Sequence, residues 1–201
     1  MNTIPPCPPS LPLQATCHWN DQPYRLTEAQ LGAFVDERAP ALVWDFDIQA
    51  ERIDPDDTLL DEDALPPDSL HLRIHDCPAF HSGPGEVMRW SDIAGKRIEL
   101  TQKDEPEVLV YTGEHLGLTD GAFELREIDG RLWIHLHGHC DGMHGPAHIV
   151  LDAPLDFTSI ACGRRTEEQA CELIARVVDP ARYTFECDRY GVARFTPISG
   201  E

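Results

Sequence analysis

Positive charge is scarce in this chain. Sixteen Lys plus Arg stand against 36 Asp plus Glu, a formal net charge of -20 over 201 residues. A field of that sign repels nucleic acid and anionic lipid, and attracts basic protein surfaces or cations. Long apolar runs are missing too, and none approaches the ~20 residues that a membrane-spanning helix needs. The N-terminus, Met1-Asn2-Thr3-Ile4-Pro5-Pro6-Cys7-Pro8-Pro9, has no basic stretch, and its prolines interrupt the apolar segment that a secretory signal requires. The seven cysteines are odd in number and contain no C-x-x-C, so neither a disulfide framework nor a four-thiolate zinc site reads out of them. Reduced, mostly buried thiols in a cytoplasmic protein are the simplest account. Catalytic signatures are absent as well: there is no G-x-S-x-G, P-loop, G-x-G-x-x-G, H-E-x-x-H or H-x-E…P-C-x-x-C.

What is present suffices for a folded core. Apolar residues make up 41% of the chain, with four Trp, four Tyr and seven Phe, too many for a wholly disordered polymer. Residues 1–12 hold five prolines and read as an extended arm. With no internal repeat and no sharp composition boundary beyond them, residues 13–201 read as a single domain.

Within that domain, Thr27-Glu28-Ala29-Gln30 has capping-box spacing, and Leu31, Phe34 and Val35 supply an apolar stripe. That pattern predicts a helix over about 27–38, stopped by Pro40. Leu42, Trp44, Phe46 and Ile48 alternate with polar residues and predict a strand. Leu70, Leu72 and Ile74, alternating with His71, Arg73 and His75, predict another. Short β-like runs follow at 97–101, 108–112 and 122–128. Asp129-Gly130 then signals a type I′ hairpin into a strand over 131–137. A second helix is expected over about 166–178. Thr166 caps it, Gln169 follows three residues on, and Ala170, Leu173, Ile174, Val177 and Val178 fall on one face. Residues 183–187 and 192–196 close the chain as a hairpin. The expected class is α+β: a mainly antiparallel sheet or small barrel with two principal helices.

Two segments carry candidate function. Between residues 131 and 148 lie five of the ten histidines. His135 and His137 would project from one face of a strand about 7 Å apart, a spacing that can chelate a divalent transition metal such as zinc, with Asp141, His71 or His75 as further donors. His139 could join only if Gly138 broke the strand. Gly130, His135, His137, Asp141 and Gly145 fall near the first cupin motif, but the glycine is one residue too close, Asp141 stands where a glutamate belongs, and no second motif follows. Metal-dependent amidohydrolases also begin with H-x-H, but their barrel needs about 250 residues. The plainer reading turns Leu132, Ile134 and Leu136 inward and leaves Arg131, Trp133, His135 and His137 on the outer face of an ordinary antiparallel strand.

The other segment spans residues 45–68, where ten acids face a single Arg52. Asp54, Asp56 and Thr58 open like a calcium loop, but Leu59 occupies the glycine position and no glutamate closes it. The stretch is either a solvated loop or a docking surface, and Trp44 and Phe46 beside Asp45 would suit an interface if they faced outward. The leading expectation is a cytoplasmic, non-enzymatic protein that docks on and neutralises a basic protein partner such as a toxin, needing no cofactor. The docking residues would be Asp45, Asp54, Asp56, Asp57, Asp61, Glu62 and Asp63. In charge profile, not in any motif, the chain is similar to the acidic immunity proteins with which bacteria block nucleases and other toxins. The contrasting expectation is a metal-dependent enzyme or metal-binding protein using His135, His137 and Asp141.

Overall fold

The structure is a computed structural model, and it describes residues 14–36, 38, 41–53, 66–77, 93–100, 108–142 and 145–198. Strict alternation of apolar and polar residues makes most of these segments strands. They are β1 (Thr16–Trp19), β2 (Gln22–Asp36), β3 (Ala41–Arg52), β4 (Ser69–Cys77), β5 (Arg97–Leu100), β6 (Val108–Tyr111), β7 (His115–Gly117), β8 (Thr119–Ile128), β9 (Arg131–Gly142), β10 (Gly145–Pro154), β11 (Asp156–Ala161), β12 (Tyr183–Cys187) and β13 (Ala193–Pro197). Ten of them run in the order β5-β8-β9-β10-β1-β2-β3-β4-β6-β7, and every pairing along that path is antiparallel.

The expected α+β class with two principal helices does not hold: the fold is a curled, mainly antiparallel half-barrel with a single α-helix among the described residues. The segment expected as a helix over 27–38 lies within β2. Its capping-box residues are spaced correctly, but Leu31, Ala33 and Val35 alternate, and each is buried opposite an apolar residue of β3: Phe46, Trp44 and Leu42. A helix of about a dozen residues is marginal alone in water. Here ladder hydrogen bonds to β3 along its length, together with burial of one face, outweigh the local signal. Thr27 takes up a bulge in that ladder.

The apolar face curls onto itself. Phe46 of β3 and Phe123 of β8 stand five strands apart in the order, yet their rings meet edge to face with centroids 5.9 Å apart. At the far end of the order, the β7 region returns to β9: a Cβ on Gly138 would lie 2.7 Å from Leu118 Cγ. Gly121 of β8 is pressed closer still, since a Cβ there would lie 2.0 Å from the His137 carbonyl oxygen.

The chain leaves the half-barrel where β10 outruns β1. Beyond Leu155 it continues as β11, which takes β1's place beside β2 and pairs with it in parallel. The β12–β13 hairpin extends β11. Between β11 and β12 lies α1 (Glu167–Ile174), whose Thr166 and Gln169 form both halves of a capping box. It is shorter than the sequence suggests, and turns complete the apolar stripe: Leu173, Ile174, Val177 and Val178 are all buried in the core that includes Phe195 and Ile160. No helix among the described residues is long and apolar enough to cross a membrane.

Two substitutions probe this packing. Chemical denaturation should find Leu173→Ala less stable by about 2 to 5 kcal/mol, as for other core truncations. Gly121→Ala should cost at least about 1 to 3 kcal/mol, because its added methyl meets backbone rather than a side chain that can rotate away. A wild-type midpoint for Gly121→Ala would contradict the close approach of β8 and β9.

Candidate functional site

Strand directions gather acidic residues at one end of the half-barrel. β3 runs out at Arg52 and β4 begins at Ser69, paired with Glu51, so the acidic connection between them emerges there. Its two ends are fastened together. The Arg52 N–H donates to the Asp68 carbonyl and its guanidinium to the Asp68 carboxylate, both at 2.9 Å. The Ile53 N–H donates to the Pro23 carbonyl, and the Tyr24 hydroxyl to that of Pro67. Burial pushes the Tyr24 phenol up to about 12, with the Asp68 charge adding and Arg52 opposing, so it stays a donor.

The same end receives the turn between β1 and β2, where Asn20 and Asp21 take left-handed backbone conformations, and the turn between β6 and β7 at Glu114. It also receives Asp141 from the last residues of β9. Glu114 and Asp141 come together around Cys140: burial raises that thiol to about 11, and both carboxylates add to the shift. Asp21, Asp68, Glu114 and Asp141 thus ring the end from which the acidic connection leaves.

Not every expected docking residue is part of this rim. Asp54, Asp56, Asp57, Asp61, Glu62 and Asp63 lie outside the described residues. Asp45 is on the outer face of β3 opposite Gly32, six residues and about 20 Å up the strand from Glu51. There the His75 imidazole nitrogen Nδ1 sits 3.4 Å from its carboxylate. Trp44 and Phe46 on either side point into the core. Asp47 accepts hydrogen bonds from His71 at 2.8 Å, Arg73 at 3.0 Å and Gln49 at 3.4 Å. Burial alone would raise its pKa, but these bonds and the His71 charge outweigh it and hold the carboxyl below its ordinary value.

The histidines occupy the outer face of β9 and β10. Leu132, Ile134 and Leu136 point inward, while His135 pairs with Asp152 across the ladder, Nδ1 to Oδ1 at 2.8 Å. By register, Arg97, Glu124, His135 and Asp152 form one row in which basic and acidic side chains alternate across four strands. His137 is the next outward residue, its ring 6.1 Å from that of His135. Gly138 does not break the strand, so His139 stays about 13 Å from His135. It stacks instead on His148 of β10, with ring centroids 4.8 Å apart. The alternating H-x-H-x-H run followed by a tight reversal near Gly142 and Gly145 is the signal that could have revealed this pair. Asp141 lies four residues beyond His137, at the rim, and His71 and His75 hold carboxylates on β3. Among the described residues, no group of three or more His, Cys, Asp or Glu side chains could hold a metal ion.

The buried thiols are poor nucleophiles. Desolvation pushes Cys17 up to about 12 and Cys162 to about 11, so both are protonated at neutral pH.

Two partly buried groups contribute to the acid response at different pH. Burial, then the charges of His135 and Arg97, lowers the His137 pKa, with His148 adding and Glu99 opposing. A folded histidine below its ordinary value of about 6.5 binds fewer protons than the unfolded chain, so stability falls as pH drops from about 6.5 through the folded value. Asp47 acts lower. Its stabilisation is present above the ordinary aspartate value of about 3.9 and is lost as pH falls through the lower folded value. Thermal unfolding between pH 7 and 5 should therefore show a decline that His137→Gln flattens, while Asp47→Asn changes only the more acidic limb. An unchanged slope in His137→Gln would contradict the assignment.

Compared with known proteins, the chain matches no protein-family model, no curated protein and no solved structure.

Proposed function

We propose that this chain is a cytoplasmic, non-enzymatic binding protein, and that its acidic rim docks on and neutralises a basic protein partner in the manner of an immunity protein or inhibitor. The observation that carries this reading is the gathering of Asp21, Asp68, Glu114 and Asp141 around the fastened ends of the 45–68 acidic stretch. Four separate connections converge there, so the charge belongs to a surface rather than to one run of sequence. The distribution along the chain supports it. Residues 1–161 carry 29 Asp plus Glu against 10 Lys plus Arg, whereas residues 162–201 carry seven against six. A molecule so divided carries its negative charge on the half-barrel, and electrostatic steering then speeds encounter with a positive surface.

The contrasting metal-dependent reading rests on His135 and His137. It has less support, because among the described residues no group of three or more His, Cys, Asp or Glu side chains could hold a metal ion, and Asp141 is at the rim.

A pull-down from the native lysate tests the proposal, using wild type beside a variant neutralised at Asp56, Asp57, Asp61, Glu62 and Asp63. Matching circular-dichroism spectra and melting midpoints should show both proteins folded. Wild type should capture a basic protein that the variant loses, and association with it should slow steeply with salt. Equal capture by both proteins, or salt-independent association, would overturn the docking role.

A further inference from the structure

Two arginines beside α1 lack the carboxylate partner that most arginines of the fold have. Arg25, Arg52, Arg73, Arg97, Arg126, Arg131 and Arg194 each hold a carboxylate within ion-pair distance. Arg164 and Arg176 hold none among the described residues. With Arg165 they line an open groove of about 630 Å³ between the β11–α1 connection and the face of α1, where Gln169, Glu172 and Leu173 complete the wall. Arg164 and Arg176 thus stand exposed without an ion-pair carboxylate among the described residues, in a protein with 36 acids. That volume falls within the roughly 300–1,000 Å³ range of small-ligand sites.

The groove is shaped for side-chain recognition. The capping box already engages the Thr166 and Gln169 N–H groups, and because the Gln169 side-chain oxygen accepts from Thr166, its amide NH₂ remains available as a donor. Arg165 is anchored by donating to the Cys162 carbonyl. Gly163 has φ +70°, and a Cβ there would lie 3.1 Å from Arg165 Nη1, so glycine keeps both the turn and the guanidinium in place. Planar guanidinium forks bind phosphate oxygens two at a time, which point charges cannot do.

We propose that this groove binds a small phosphate-bearing ligand, with Arg164 and Arg176 as its principal contacts and Arg165 and Gln169 as orienting donors. The net charge of -20 selects for small size: a long polyanion such as nucleic acid would run into the negative half-barrel, whereas a compact dianion meets only the groove. The site is independent of the acidic rim.

Titration of the ¹⁵N-labelled chain with pyrophosphate, against chloride at matched ionic strength, tests this. Amide shifts should concentrate within residues 163–176, and Arg164→Gln with Arg176→Gln should weaken binding at least about tenfold. The control Arg25→Gln should leave it unchanged. Both groove arginines are exposed, so the double variant should keep its other amide resonances, which reports that it is folded. Shifts scattered over the chain, no shifts beyond those of chloride, or equal affinity in the double variant would overturn the proposal.

Discussion

The fold depends on burying one apolar face of a long sheet against itself. With a single short α-helix among the described residues, the sheet has little to pack against except its own curl. The contact between Phe46 and Phe123, from strands five places apart, registers that curl, and Gly121 permits it by letting β8 approach the β9 backbone. Burial at about 25 cal/mol per Å² of apolar surface drives the closure. It leaves polar chemistry only two locations, the outward residues of each strand and the connections at the rims. The histidine face and the acidic rim are those two locations.

Much of this architecture was legible in the sequence. Period-two alternation located β3 and β4, and Asp129-Gly130 located the hairpin between β8 and β9, where both residues take the positive φ that a type I′ turn requires. The capping box at Thr166 and Gln169 located α1. An identical local signal at Thr27 and Gln30 pointed the wrong way, because nothing local distinguishes a helix start from a long strand whose partners are remote. The parallel pairing of β11 with β2 joins residues more than a hundred apart and has no local signature. The outward placement of His135 and His137 followed from alternation, but the His139–His148 pair needed the register of the next strand.

The same limit applies to the acidic surface. Sequence grouped Asp45 with the acids that follow it, whereas β3 carries it about 20 Å away and pairs it with His75. In exchange, the topology brings in Asp21, Glu114 and Asp141 from other strands. Charge is therefore divided by structure rather than by run: a strongly negative half-barrel, and a nearly neutral C-terminal unit with an arginine groove.

The central claim is that the rim, and not acidity in general, is what a basic surface meets. Mapping a short arginine-rich peptide onto the ¹⁵N-labelled protein by amide chemical shifts tests this directly. Shifts should cluster at Asp21, Asp68, Glu114 and Asp141 and leave the outer-face carboxylates Asp45 and Asp152, already engaged by histidines, unmoved. Perturbations spread evenly over every exposed acid would contradict the account.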